Sequence, residues 1–169
     1  MNIMFNKSLL SQVKKYIKEN YVEEVRLSVC KKSLYDCSIA DYSFSVEKSL
    51  KNITVVETTW QEMVFKWIDS KELKDSDVYK KANISKQTFS KIRSNEGYQP
   101  NKDTAIQMCF GLELGIDDSL DLIGKAGFNL SNSIKRDLVV RYFIENEIYN
   151  VDELNIILDE LKLKLFPIN

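Results

Sequence analysis

Histidine is absent from all 169 residues, and this one absence excludes more chemistry than any motif present. Ser-His-Asp and Cys-His triads, histidine metal sites and imidazole pH switches are all removed. Glycine-rich phosphate loops are missing too, since the 5 glycines are scattered without a G-x-G or G-x-x-x-x-G-K spacing. With only 5 Gly and 2 Pro, helices joined by short connections are expected rather than a turn-rich sandwich or barrel. Cys30, Cys37 and Cys109 form an odd set with no CxxC pair, so reduced thiols are expected. No run approaches the ~18 apolar residues of a membrane span. The opening residues lack the apolar core of a signal peptide, so the expectation is a cytoplasmic chain with no membrane partner. There is no excess of one charge either: 24 Lys+Arg stand against 25 Asp+Glu, which leaves only a local patch to attract nucleic acid.

What is present is a core's worth of apolar surface, with hydrophobic residues at 44%. Charge is distributed unevenly. Residues 1–70 are nearly balanced, residues 71–102 hold 8 basic and 4 acidic side chains, and residues 103–169 hold 6 basic and 12 acidic ones. A basic middle and an acidic final third point to different surfaces for different partners.

Helical spacing of Leu9, Leu10, Val13, Tyr16 and Ile17 predicts a first helix over about Lys7 to Asn20. Alternation at Tyr42, Phe44 and Val46, with the β-branched Ile53, Val55 and Val56, allows a short hairpin across 41–57. Thr59-x-x-Glu62 has capping-box spacing, and Trp60, Met63, Val64, Trp67 and Ile68 follow on one helical face, which is best read as core. A helix from Asp75 to Lys81, Asn83 at a turn, and a helix opening at Ser85 come next. Asn101 is placed to cap a helix through Ala105, Met108, Cys109 and Leu112, with Gly115 ending it. Asp117 is read as the cap of another, Ser131 or Ser133 as the start of one carrying Ile134, Leu138, Tyr142 and Phe143, and Asp152 as the start of the last. Asp117, Asp118 and Asp121 lack EF-hand spacing, so capping explains them better than a cation.

The run from Asp75 to Ile92 places Val78, Ala82, Ile84, Phe89 and Ile92 where two steeply crossing helices must touch. This stretch resembles the helix-turn-helix of the lambda-repressor and Xre-like family. The likeness extends over about residues 60–127, through the Pro100 loop to Leu114-Gly-Ile-Asp-Asp-Ser-Leu120. The order of flanking pieces is similar to that of uncharacterised bacterial members. The resemblance implies a mainly α protein with a five-helix module at 58–128; the residue patterns add an N-terminal segment at 1–57, a helix followed by a stretch that allows a small β element, and a helical extension at 129–169. Three positions depart from the pattern. Tyr79 replaces the usual small residue and must point outward or push the helices apart, Asn83 replaces the turn glycine, and Asp75 puts a carboxylate where a phosphate should pass.

For function, the resemblance implies a transcription regulator that binds double-stranded DNA as a homodimer, without a cofactor or catalysis. Lys86, Gln87 and Thr88 would meet base edges in the major groove. Lys80, Lys81, Lys91, Arg93 and Lys102 would hold phosphates. The apolar stripes beyond Gly127 are wider than one face needs, and what the module's own core does not use is available for a two-fold contact. The alternative is a protein-interaction adaptor that keeps the scaffold while its basic and acidic surfaces meet proteins.

Overall fold

A computed structural model describes residues 7–22 and 58–167, and all regular structure among them is helical. The expected hairpin at 41–57, with Cys30 and Cys37, lies outside the described residues. The helices are α1 (Lys7–Asn20), α2 (Trp60–Ser70), α3 (Asp75–Lys81), α4 (Lys86–Ser94), α5 (Lys102–Gly111), α6 (Ile116–Lys125), α7 (Lys135–Glu145) and α8 (Val151–Glu160).

Helix α5 is the axis of the assembly. Every residue from Thr104 to Leu112 is buried, on all faces of the helix, with Thr104 and Gln107 the polar ones among them. Helices all round it are the only way to remove that surface from water. α3 and α6 pack directly on α5, α2 lies on α6, and α7 joins α6, α8 and α1. One core cluster therefore runs from Leu9 and Val13 through Val64, Ile92 and Phe110 to Phe143, Leu158 and Phe166. α7 and α8 belong to the same compact unit as α1–α6, so the core continues across the expected boundary at 128. Leu138, Val139, Phe143, Leu154, Ile157 and Leu158, assigned in part to a two-fold contact, are buried within the chain. The segment after α8 closes the core, because Asn155 on α8 holds both backbone groups of Phe166, at 2.8 and 3.1 Å.

Six helices end in the same way. Glu72, Asn83, Glu113, Gly127, Glu147 and Lys162 take left-handed backbone angles, and the next residue is always apolar: Leu73, Ile84, Leu114, Phe128, Ile148 and Leu163. Each of these apolar residues donates its amide to a carbonyl five positions back, which is the Schellman closure. Three connections, α2–α3, α3–α4 and α5–α6, are four residues long with the left-handed residue second and the apolar one third.

Thr59 forms the expected capping box with Glu62, and Ser85 and Asn101 cap α4 and α5. Other expected caps are corrected. Gly115 is the N-cap of α6 rather than the stop of α5, and Asp117 sits inside the first turn. α7 starts at Lys135 behind Ile134, which has no capping side chain, and Asn150 rather than Asp152 caps α8. In each case the acidic residue is still at the positive end of its helix, where charge alone is stabilising.

Gly111 sets the distance between α3 and α5. A Cβ there would lie 2.6 Å from the Val78 carbonyl oxygen and 2.7 Å from the Ala82 methyl, and the first of these is rigid backbone. Gly111→Ala is therefore expected to lower unfolding stability by about 1–3 kcal/mol, the range for overpacking a dense core. Urea denaturation checks it, and wild-type stability in the variant would show that α3 does not need this approach.

Candidate nucleic-acid interface

α3 and α4 meet through the positions the sequence set aside for that contact. Val78, Ala82, Ile84, Phe89 and Ile92 are all buried. Tyr79 resolves its conflict by lying half-buried against Phe89, with ring centroids 5.7 Å apart. Asn83 takes the turn at φ 54°, an angle asparagine tolerates better than most residues. Because Phe89 and Ile92 face inward, the opposite face of α4 presents Lys86, Gln87, Ser90, Lys91 and Ser94 to water. α4 contains no acidic residue.

The eight expected contact residues divide into two groups. Lys80, Lys86, Gln87 and Lys91 are exposed, and none of the three lysines has an ion-pair partner among the described residues. The remaining four are engaged within the chain. Thr88 is half-buried, its amide donates to the Ser85 hydroxyl at 3.1 Å, and the two hydroxyls bond each other at 2.9 Å. Lys81 reaches Glu113 at 2.8 Å. Arg93 reaches Asp75 at 2.7 Å and lies 4.6 Å over the Phe65 ring. Lys102 is paired with Asp137, which is 2% exposed.

Lys102 is part of a reciprocal arrangement. Lys102-Asp103 opens α5 and Arg136-Asp137 lies in the first turn of α7, and each cation takes the other helix's carboxylate. Lys102 bonds Asp137 at 2.5 Å, while Arg136 bonds Asp103 at 2.6 Å and stacks 3.9 Å over Phe166. Asp137 also accepts the Ser131 amide at 2.9 Å. Lys102 is thus a clamp between α5 and α7, not a side chain free to follow a DNA backbone. Sequence reasoning could see both dipeptides but had no means to bring together residues 35 positions apart.

Three further residues have roles that the sequence did not indicate. Gln61 on α2 donates to the Ile92 carbonyl at 2.6 Å, and Phe65 carries the Arg93 guanidinium, so α2 grips the end of α4. Lys71 donates to the carbonyls of Leu112 and Glu113, at 2.7 and 2.9 Å, and so caps the exit of α5. Neither partnership has a periodic signal in the sequence.

Burial pushes the Cys109 thiol up to about 12, which keeps it protonated and unreactive. Among the described residues no cluster of three or more Asp, Glu, Cys or His is placed to hold a metal, and no helix is long and apolar enough to cross a membrane. Comparison of the chain with models of protein families, with curated proteins and with solved structures finds no match.

Removing Lys102 strands the Asp137 carboxylate in the core with one backbone donor. Lys102→Ala is expected to cost roughly 2–4 kcal/mol, near or below the ~3–5 kcal/mol of a fully buried pair, because Lys102 keeps some water. Lys86→Ala should change stability by about 0.5 kcal/mol or less. Equal denaturation midpoints for the two variants would remove the structural role given to Lys102.

Proposed function

We propose that the protein binds double-stranded DNA, with α3 and α4 acting as a lambda-repressor-like helix-turn-helix and α4 lying in the major groove. The observation that carries this reading is the outer face of α4. It is polar, free of acid, and bears Lys86 and Gln87 in its first turn while Phe89 and Ile92 anchor the other side. Lysine can donate to guanine O6 and N7, and a glutamine amide can pair with adenine N6 and N7. Thr88 keeps its methyl for a thymine even though its hydroxyl is engaged. Lys80 and Lys91 are the backbone contacts, with Lys81, Arg93 and Lys102 turned to internal partners. A cytoplasmic transcription regulator without catalysis or cofactor fits these features.

The engaged cations favour one alternative. If the remaining positive face is too weak to hold a duplex, the same scaffold serves as an adaptor that meets another protein. Binding of duplex fragments from beside the protein's own gene, followed by anisotropy over a salt series, separates the two. Lys86→Ala and Gln87→Ala should each weaken specific binding by about 1–3 kcal/mol at one base position, with circular dichroism unchanged. Equal affinity of the wild type and the double variant for every duplex tested would reject the DNA reading.

Reading two half-sites requires two modules about 34 Å apart, so the DNA reading carries a homodimer with it. Since most of the C-terminal stripes are used internally, the large apolar side chains left exposed for a two-fold contact among the described residues are Tyr21, Val22, Phe128, Ile134 and Leu165. Light scattering at tens of micromolar should give about twice the 19.7 kDa chain mass. A monomer at that concentration would rule out a preformed dimer.

A further inference from the structure

Asp75 and Arg93 occupy the seam where α2, α3 and α4 converge. Arg93 leaves the last turn of α4, passes over Phe65 of α2 at 4.6 Å, and bonds the Asp75 carboxylate at the first residue of α3 at 2.7 Å. Both side chains remain about half exposed, at 52% and 40%, so the pair lies at the surface rather than in the core. Lys74, the N-cap of α3, supplies no capping side chain, and the Asp75 carboxylate sits at the positive end of that helix. Arg93 shares α4 with Lys86 and Lys91, the cations assigned above to the duplex. Asp75 therefore neutralises the third cation of a helix that carries no acid of its own.

We propose that Asp75 sets the strength of sequence-independent DNA binding by occupying Arg93 in place of a backbone phosphate, an inference that rests on the DNA reading above. A carboxylate and a phosphate offer a guanidinium the same pair of anionic oxygens, and Arg recognises either through the same fork of N–H donors. Held by Asp75 and the Phe65 ring, Arg93 releases no counterion from DNA. When the carboxylate becomes a neutral amide, Arg93 is free to take a phosphate. The gain should be the same on any duplex, because phosphate contacts carry no sequence information.

The variants Asp75→Asn, Asp77→Asn, Arg93→Gln and Asp75→Asn/Arg93→Gln test this with a random-sequence duplex of about 30 base pairs over a salt series. Asp77 shares the first turn of α3 and removes the same charge, but its carboxylate accepts from Ser76 at 3.2 Å and has no part in holding Arg93. Asp75→Asn should bind about three- to tenfold tighter than wild type at ~0.1 M salt, with the slope of log K against log salt steeper by about 0.9. Asp77→Asn should give a smaller gain and Arg93→Gln alone a comparably small loss, both with an unchanged slope. In the double variant the gain should vanish. Equal gains from Asp75→Asn and Asp77→Asn, or a gain that survives Arg93→Gln, would overturn the role of Asp75 and leave DNA binding standing. Wild-type affinity in Asp75→Asn with duplex binding intact would do the same. No binding by any folded variant would overturn the role of Asp75 and the DNA reading together.

Discussion

The close approach of α3 to α5 at Gly111 is the constraint on which the rest of the structure depends. α5 is buried on all sides, so its neighbours must pack on backbone as well as on side chains, and Gly111 lets the Val78 and Ala82 backbone come that near. α3 in turn fixes α4, since Ala82 and Ile84 lead directly into it. The outer face of α4 is thus positioned from the centre of the molecule outward. At its other end α5 carries two charges, Lys102 and Asp103, and a helix with so little exposed surface cannot leave them unmatched. α7 supplies Arg136 and Asp137 in the complementary order, which ties the C-terminal helices to the same axis.

The scarcity of glycine is met by asking other residues to do its work. Five of the six left-handed helix ends are Glu, Asn or Lys, each at a backbone cost of roughly 1–2 kcal/mol that glycine avoids. The following apolar residue offsets that cost by entering or flanking the core. One turn type used three times means that the α3–α4 connection is not distinctive by itself. What separates α4 from the other helices is its surface, and a functional reading has to rest there.

Much of the fold was legible in the sequence because it is written locally. The capping box at Thr59 and Glu62, the caps at Ser85 and Asn101, and the inward register of Phe89 and Ile92 all follow from residues a few positions apart. Local signals misled where charge and hydrogen bonding diverge: Asp117 and Asp152 sit near helix starts for their charge, while Gly115 and Asn150 hold the cap positions. The stripes beyond Gly127 overstated the free apolar surface because the packing of α7 on α1 and α6, and of α8 on α7, is not visible in periodicity. For the candidate site, spacing located Lys86, Gln87 and Lys91 on the open face. It could not show that Lys81, Arg93 and Lys102 have carboxylates waiting 18 to 35 residues away.

Counting charges along a sequence therefore overstates what a partner would feel. Residues 71–102 carry 8 basic side chains, yet Lys71, Lys81, Arg93 and Lys102 are spent on helix ends and ion pairs inside the chain. Lys74, Lys80, Lys86 and Lys91 remain, and the last three are the cations that the proposed DNA reading assigns to a duplex. Even if all three met phosphate, counterion release would give a salt slope of only about −2.7 for one module. Three such contacts hold a duplex weakly at physiological salt, so a single module would depend on its base contacts, and paired modules would roughly double the electrostatic term. On the proposed DNA reading, the internal pairing of the other cations thus makes dimerisation and the first turn of α4 weigh more in binding than the composition of the segment implies.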